Sequence, residues 1–378
     1  MPVVARRAHP PHATLVAMPE RIVAIDSLDL LSHVPELIGF APERSLVLIT
    51  MRGSTTSGTL RVDLPGGSAR AGHPPRQREL AEYATTVVGM ACRVRGADAV
   101  LPIVFTDGSC SAGTPHPELF AQLRSAAAVA GLTVRDALFV AADGWGHESG
   151  GPPHPRDELD VAWRLRRLDP DCLPVHEHPE REAVLPGVDP RQLERTEIAL
   201  DALRGEKRMP DPIWFAEFSA RWMPTAIGPA SAALTAHVLG DARCRDTVLF
   251  TWMWGSATGR RALRFQEDCG RGAPAADEEI ALALVGLGSM PRPSAQGARR
   301  GIELLRQVAA RLPVPERGAC LASLAWLNWA LGRGSVAGEY VRGARRADPG
   351  YPFARLVETM LEAGALPEWA FTDRETPE

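Results

Sequence analysis

DAVLPIVFTDG, residues 98–108, and VRDALFVAADG, residues 134–144, are two short apolar runs that each close on Asp-Gly. Between them PELFAQLRSAAAVAG, residues 117–131, repeats its apolar side chains at helical spacing. Strand, helix and strand with short connections make a βαβ unit, with parallel strands and a right-handed crossover. Upstream, in LLSHVPELIGFAPERSLVLIT, residues 30–50, Asp26 or Ser27 can cap a short helix through Leu31 and Val34. Pro35 is expected to disrupt that helix, Gly39 to supply a permissive C-terminal position, and Pro42 to turn the chain. SLVLITM, residues 45–51, then reads as a buried strand, GSTTSG, residues 53–58, as a turn, and TLRVDLP, residues 59–65, as the hairpin partner. RQRELAEYATTVVGMACRVRG, residues 76–96, has helical periodicity. The expectation is an α/β domain over residues 22–144, a mixed sheet with a β-hairpin and a βαβ unit, preceded by an arm over residues 1–21.

Downstream the composition changes. Residues 145–190 are rich in Pro, Gly, His and acid, and predict a linker or loop with one amphipathic piece around Val161 to Leu168. From there the chain is helical in pattern: a helical region over residues 191–290, then C-terminal helices over residues 291–370 and a tail at residues 371–378. In GACLASLAWLNWALGRGSVAGEYVRGARRADPGY, residues 318–351, Ala325, Ala337, Ala344 and the Asp348-Pro349 stop match a tetratricopeptide-like helix pair. Asn328 departs from that pattern, and a single copy does not make an extended solenoid. The fold class read from the residues is therefore an α/β N-terminal domain followed by an all-α domain that ends in a tetratricopeptide-like pair.

Composition excludes several partners. With 45% hydrophobic and 23% charged residues the chain is globular, and its net charge of -4 exerts no pull on a phosphate backbone or an anionic membrane. Lys207 is the sole lysine, so the arginine content reflects a GC-rich codon bias and is no nucleic-acid signal. No apolar run approaches a signal-peptide core or a membrane span. The six cysteines form neither a CxxC pair nor a disulfide framework, which fits a reducing cytoplasm.

With these elements in place the sequence resembles an uncharacterised actinobacterial family, domain of unknown function 4192. The resemblance lies in LLSHVPELIGFAPERSLVLIT, TLRVDLP, GADAVLPIVFT, VRDALFVAADGWG, AWLNWALGRGSVAGEYVRGARRADPGY and LVETMLEAG. It implies a shared fold and a high-GC bacterial source, and it transfers no catalytic residue. After the second strand many relatives continue with paired aromatics and cysteines, whereas this chain reads DGWGHESGGPPHP.

Chemistry-bearing residues are few. Asp107 and Asp143 stand at the carboxyl ends of the two strands expected to be parallel, where open α/β sheets bind ligands, with His116 and His147 close in sequence. A carboxylate pair with an imidazole can hold a divalent metal or act as general base, while Asp-Gly is also ordinary turn chemistry. His176 and His178 can ligate a metal from an extended segment, but lack the helical spacing of a zinc motif. Cys110, between Ser109 and Ser111, reads as a loop residue without a base beside it. Trp214, Phe215, Phe218, Trp222, Trp252 and Trp254 fall at helical spacing and are expected in the core. No cofactor is assigned. The leading expectation is a non-catalytic binding or protein-interaction module that meets a protein or peptide through its C-terminal helices. The alternative is a metal-assisted hydrolase or nucleotide-binding enzyme at Asp107 and Asp143.

Overall fold

The computed structural model describes residues 13–16, 26–65, 76–168, 178–206, 209–272 and 277–371. The chain divides into two compact units, the second running from Glu182 to Ala370. Along the first unit come β1 (Ala13–Val16), α1 (Ser27–Ile38), β2 (Ser45–Arg52), β3 (Thr55–Asp63), α2 (Gln77–Cys92) and β4 (Ala99–Phe105). There follow α3 (Pro117–Val129), β5 (Thr133–Val134), β6 (Leu138–Val140), β7 (Gly144–His147), β8 (His154–Pro155) and α4 (Arg156–Arg166). The strands form one sheet in the order β1-β3-β2-β4-β6-β7-β8, with β5 also on β4. β4 runs parallel to β5 and β6, and the remaining pairs are antiparallel. The mixed sheet, the β2–β3 hairpin and the βαβ unit expected from the sequence are all present. β1 lies inside the segment expected as an arm, and the hairpin turn is tighter than expected: Arg52 pairs with Thr55, so Gly53 and Ser54 alone reverse the chain.

Alternation along β2 sorts its side chains between two cores. Val47 and Ile49 pack with Ile103, Leu138 and Val140 under Leu31 and Val34 of α1 and Leu159 of α4. Leu46 and Leu48 are equally buried on the other face. There α3 packs on β4, α2 packs on α3, and Tyr83 of α2 donates to the Asp63 carbonyl at 2.9 Å.

Three local features have physical causes, the first two of them departures from the sequence reading. Asp26 caps α1, accepting from the Asp29 amide at 2.8 Å, but the helix continues through Pro35 to Ile38 before Gly39 ends it at φ +87°. Pro35 supplies no amide for the Leu31 carbonyl, and the Trp163 indole of α4 donates to that carbonyl at 3.0 Å instead. Secondly, the stretch expected as linker or loop contributes β7, β8 and α4 to the first unit. Gly146 permits this, because a Cβ there would lie 3.0 Å from the Phe139 ring of β6. Thirdly, Pro102 occupies a central strand, where a missing ladder donor is costly. The Val100 carbonyl accepts from Arg135 and the Thr106 amide donates to Val140, so even-numbered positions of β4 face β5 and β6. The absent Pro102 N–H thus falls opposite residues 135–137, where the paired strand is interrupted between β5 and β6.

At the boundary of the units lies α5 (Pro179–Ala183). The second unit contains α6 (Pro190–Glu206), α7 (Pro212–Ser219), α8 (Pro229–Gly240), α9 (Ala242–Trp254) and α10 (Ser256–Gly270). It continues with α11 (Glu278–Leu284), α12 (Ala295–Ala310), α13 (Gly318–Ala330), α14 (Gly334–Ala347) and α15 (Pro352–Glu362). Asp211, Asp241, Asp277 and Ser294 each accept from amides two or three residues on, which caps α7, α9, α11 and α12. α13 is the buried centre of this unit, paired with α14 across the short connection at residues 331–333, with Ala325, Ala337 and Ala344 in the packed interior. Asn328, the departure from the repeat pattern, is fully buried and returns its side-chain amide to the Leu324 carbonyl at 2.8 Å. The indoles of Trp326, Trp329 and Trp369 donate to the carbonyls of Leu284, Ala365 and Ala330, which fastens the segments around α13. No helix among the described residues is long and apolar enough to cross a membrane.

Candidate functional site

The carboxyl edge of β4 and β6 is where the sequence reading placed its best carboxylates. Past Phe105 the Thr106 amide still donates to the Val140 carbonyl at 2.9 Å, and the Ala142 amide donates to the Gly108 carbonyl at 3.0 Å. The two strand-end loops are thereby laced together. Asp143 holds the lacing: its Oδ1 accepts from the Cys110 amide at 2.8 Å and its Oδ2 from the Ser109 hydroxyl at 2.5 Å. The Ser109 hydroxyl also accepts from the Ser111 amide at 3.0 Å. The Ser109 hydroxyl bond first, and the Cys110 amide bond second, hold the Asp143 carboxyl well below the usual carboxylate range. A carboxylate so stabilised is a weak base, and both of its oxygens are already engaged.

The neighbouring groups follow the same pattern. Cys110 is buried, and burial followed by the Asp143 carboxylate pushes its thiol pKa up, which disfavours the thiolate. Gly144 is required here, because a Cβ would stand 2.7 Å from the His154 carbonyl and 3.0 Å from the Cys110 sulfur. Asp107 is exposed at the loop tip, with the Arg44 Nε 3.6 Å away. His116, at the start of α3, takes the left-handed conformation at φ +51° and brings its Nε2 to 3.1 Å from the Thr106 hydroxyl. That hydroxyl accepts from the Gly108 amide at 3.2 Å, so its own proton is free to meet the imidazole. His116 is exposed as a whole, and partial desolvation of its ring lowers the His116 pKa.

The other histidines of the sequence reading lie elsewhere. His147 pairs across β6 with Leu138, at the opposite end of that strand from Asp143, and its Nδ1 lies 3.0 Å from the Asp136 carboxylate. Asp136 also accepts from the Ala137 amide at 2.7 Å, so this pair braces the interruption opposite Pro102. His178 Nδ1 lies 3.6 Å from Glu43, and His176 falls outside the described residues. Among the described residues no three His, Cys, Asp or Glu side chains are grouped to hold a metal ion.

The second unit has a cleft that sequence reading missed. About 290 Å³ in volume, it lies between α7 and α12 and is walled by Ala220, Trp222, Trp252 and Leu304, with Glu217 and Arg300 at polar positions. The aromatic residues beside it correct the expectation of a uniformly buried cluster. Phe215 and Trp252 are buried, yet Trp214 is 52% and Phe218 45% exposed. α7 is a short helix whose Phe215, Ala216 and Ser219 face inward, which turns the i, i+4 pair Trp214 and Phe218 outward. Their rings stack at 5.0 Å, and Phe218 meets Trp222 edge-on at 5.6 Å, so a ladder of three rings runs along α7 to the wall of the cleft. The missed signal was the polar break at Glu217 and Arg221 within that aromatic run.

No curated protein and no solved structure matches the chain. The family described as Domain of unknown function (DUF4192) matches residues 28–157 and 290–368. That span includes the laced sheet edge and the α12 wall of the cleft, and it leaves out α7. Covering more than half of the chain, the match identifies the protein as a member of the DUF4192 family.

Proposed function

We propose that the protein is a non-catalytic interaction protein of the cytoplasm, whose helical unit docks a protein partner. The observation that carries the reading is the stack of exposed Trp214 and Phe218 that continues through half-buried Trp222 into an apolar-walled cleft. Exposed aromatics gathered beside a concavity are typical of the anchoring centre of a protein interface. The state of the sheet edge supports it from the other side, because Asp143 is spent on its own loop and Cys110 is a buried thiol. The cysteines Cys92, Cys110, Cys244, Cys269 and Cys320 are all free, which suits a reducing compartment. Affinity capture from a lysate of the source organism tests the reading. The parent should retain a specific partner, and Trp214→Ser with Phe218→Ser should lose it while melting within about 1 °C of the parent, since surface changes cost little.

One observation favours a second reading, a hydrolase or nucleotide-binding enzyme at the sheet edge: the His116 imidazole 3.1 Å from the Thr106 hydroxyl is a nucleophile-and-base geometry. Turnover of an activated ester or phosphate that His116→Ala abolishes would move the function there.

A further inference from the structure

Two exposed guanidiniums at the cleft of the helical unit have nothing to pair with. Arg300 of α12 lines the cleft, and Arg221 stands between Ala220 and Trp222 of its wall. Among the described residues neither side chain has a hydrogen bond or an ion pair. Glu217, the carboxylate of the lining, accepts from the Ser256 hydroxyl. The unmatched charge here is therefore positive, in a chain whose net charge is -4.

The apolar part of the site is held in place before anything binds. The Trp252 indole in the wall donates to the Ala216 carbonyl at 3.2 Å. Gly301 lets α12 lie on that ring, because a Cβ there would stand 2.7 Å from it. An occupant then meets a fixed surface and bears little cost of ordering it. Along α7 and just beyond it, Trp214, Phe218 and Trp222 follow one another four residues apart, with ring centroids at 5.0 and 5.6 Å. That interval is close to the helical pitch of about 5.4 Å, so a helix laid along α7 presents apolar side chains in step with the rings. A small ligand filling the 290 Å³ cleft would leave Trp214 and Phe218 in water. We infer that the cleft and the α7 rings take an acidic amphipathic helix of a partner protein. Its apolar side chains, one turn apart, meet the rings and end in the cleft, and carboxylates flanking that stripe pair with Arg221 and Arg300. The inference rests on the interaction reading and adds the chemistry of the partner.

The test displays a library of helical peptides with randomised outward positions and keeps those retained by the full chain but not by its Trp214→Ser, Phe218→Ser variant. Retained sequences should carry apolar residues at one-turn intervals with an excess of Asp and Glu. For the tightest of them, labelled with fluorescein, Arg221→Glu with Arg300→Glu should weaken binding by about tenfold or more, since like charges repel where opposite charges attracted. Arg221→Gln with Arg300→Gln, which removes the charge without reversing it, should weaken binding less. Both arginines are exposed and unpaired, so the variants should melt with the parent. Selection on the Glu variant should turn to helices rich in Lys and Arg. No retained peptide, retained peptides without a charge bias, or a bias that charge reversal leaves unchanged would each overturn the acidic helix. A partner captured from lysate through Trp214 and Phe218 would still stand in those cases, whereas loss of that capture sinks the interaction reading itself.

Discussion

Trp163 and Leu31 are joined by one hydrogen bond, 3.0 Å from indole Nε1 to carbonyl, at the position where Pro35 leaves helix α1 without a donor. Losing the donor strands a buried acceptor, which costs about 1–2 kcal/mol. Trp163→Phe should therefore lower stability by that amount in denaturant melts. With Pro35→Ala in the background the helix regains its own amide, and the penalty of Trp163→Phe should shrink. An equal penalty in both backgrounds would show that Trp163 matters only as packing.

Gly39 ends α1 at φ +87°, and a Cβ at this position would meet no neighbour within 4 Å, so any cost of substitution there is conformational and not steric. Gly39→Val should destabilise by about 1–2 kcal/mol, the cost of forcing a β-branched residue into the left-handed region. Gly39→Asn should cost less, because Asn tolerates that region. Equal melting temperatures for the two variants would refute this account of the turn.

The distinction between the bond at Leu31 and the glycine at Gly39 marks what was legible in the sequence. Gly39, the Asp26 cap, the β2–β3 hairpin and the strand-helix-strand order depend on neighbours a few residues away, and periodicity and punctuation report them. The Trp163 donor lies far along the chain from Leu31, and the Asp136–His147 brace answers a break in a different strand. Composition suggested a linker after Gly144 because Gly and Pro there serve close approach: Gly144 and Gly146 let β7 lie against neighbours that a Cβ would strike. Parallel pairing of β4 and β6 was readable and brought the two strand ends together. The occupation of Asp143 by Ser109 and Cys110 was not, since loop hydrogen bonds leave no periodic trace.

Thiol chemistry separates buried from available cysteines. Cys92 and Cys269 are exposed, whereas burial pushes the thiols of Cys244 and Cys320 up to about 12 and raises that of Cys110. Mass-mapped labelling of the native protein with a disulfide reagent at pH 8 should modify Cys92 and Cys269 and spare Cys110, Cys244 and Cys320 until denaturant is added. Rapid native labelling of Cys110 would reopen the sheet edge as a nucleophilic site.

Acid should weaken the sheet edge in a defined window. A carboxyl whose folded pKa is depressed, as that of Asp143 is by Ser109 and Cys110, adds stability that is full above the unfolded carboxylate value of about 3.9. That contribution is lost as the pH falls towards the folded value. Asp143→Asn should therefore melt below the parent at neutral pH, and the gap should narrow as the pH drops below about 4. A gap independent of pH would assign the loss to shape and not to charge.

Thermal melts of the parent, Asp107→Asn and Asp143→Asn, each with and without Mg²⁺ or Mn²⁺, test most directly whether the sheet-edge carboxylates hold a loop or a ligand. If Asp143 is committed to Ser109 and Cys110, as its two engaged oxygens imply, the parent gains nothing from either ion. Asp143→Asn then lowers the melting temperature, and exposed Asp107→Asn leaves it nearly unchanged. A parent stabilised by metal, with the shift abolished by Asp143→Asn and that variant more stable than the parent without metal, would contradict the account and return the function to the sheet edge.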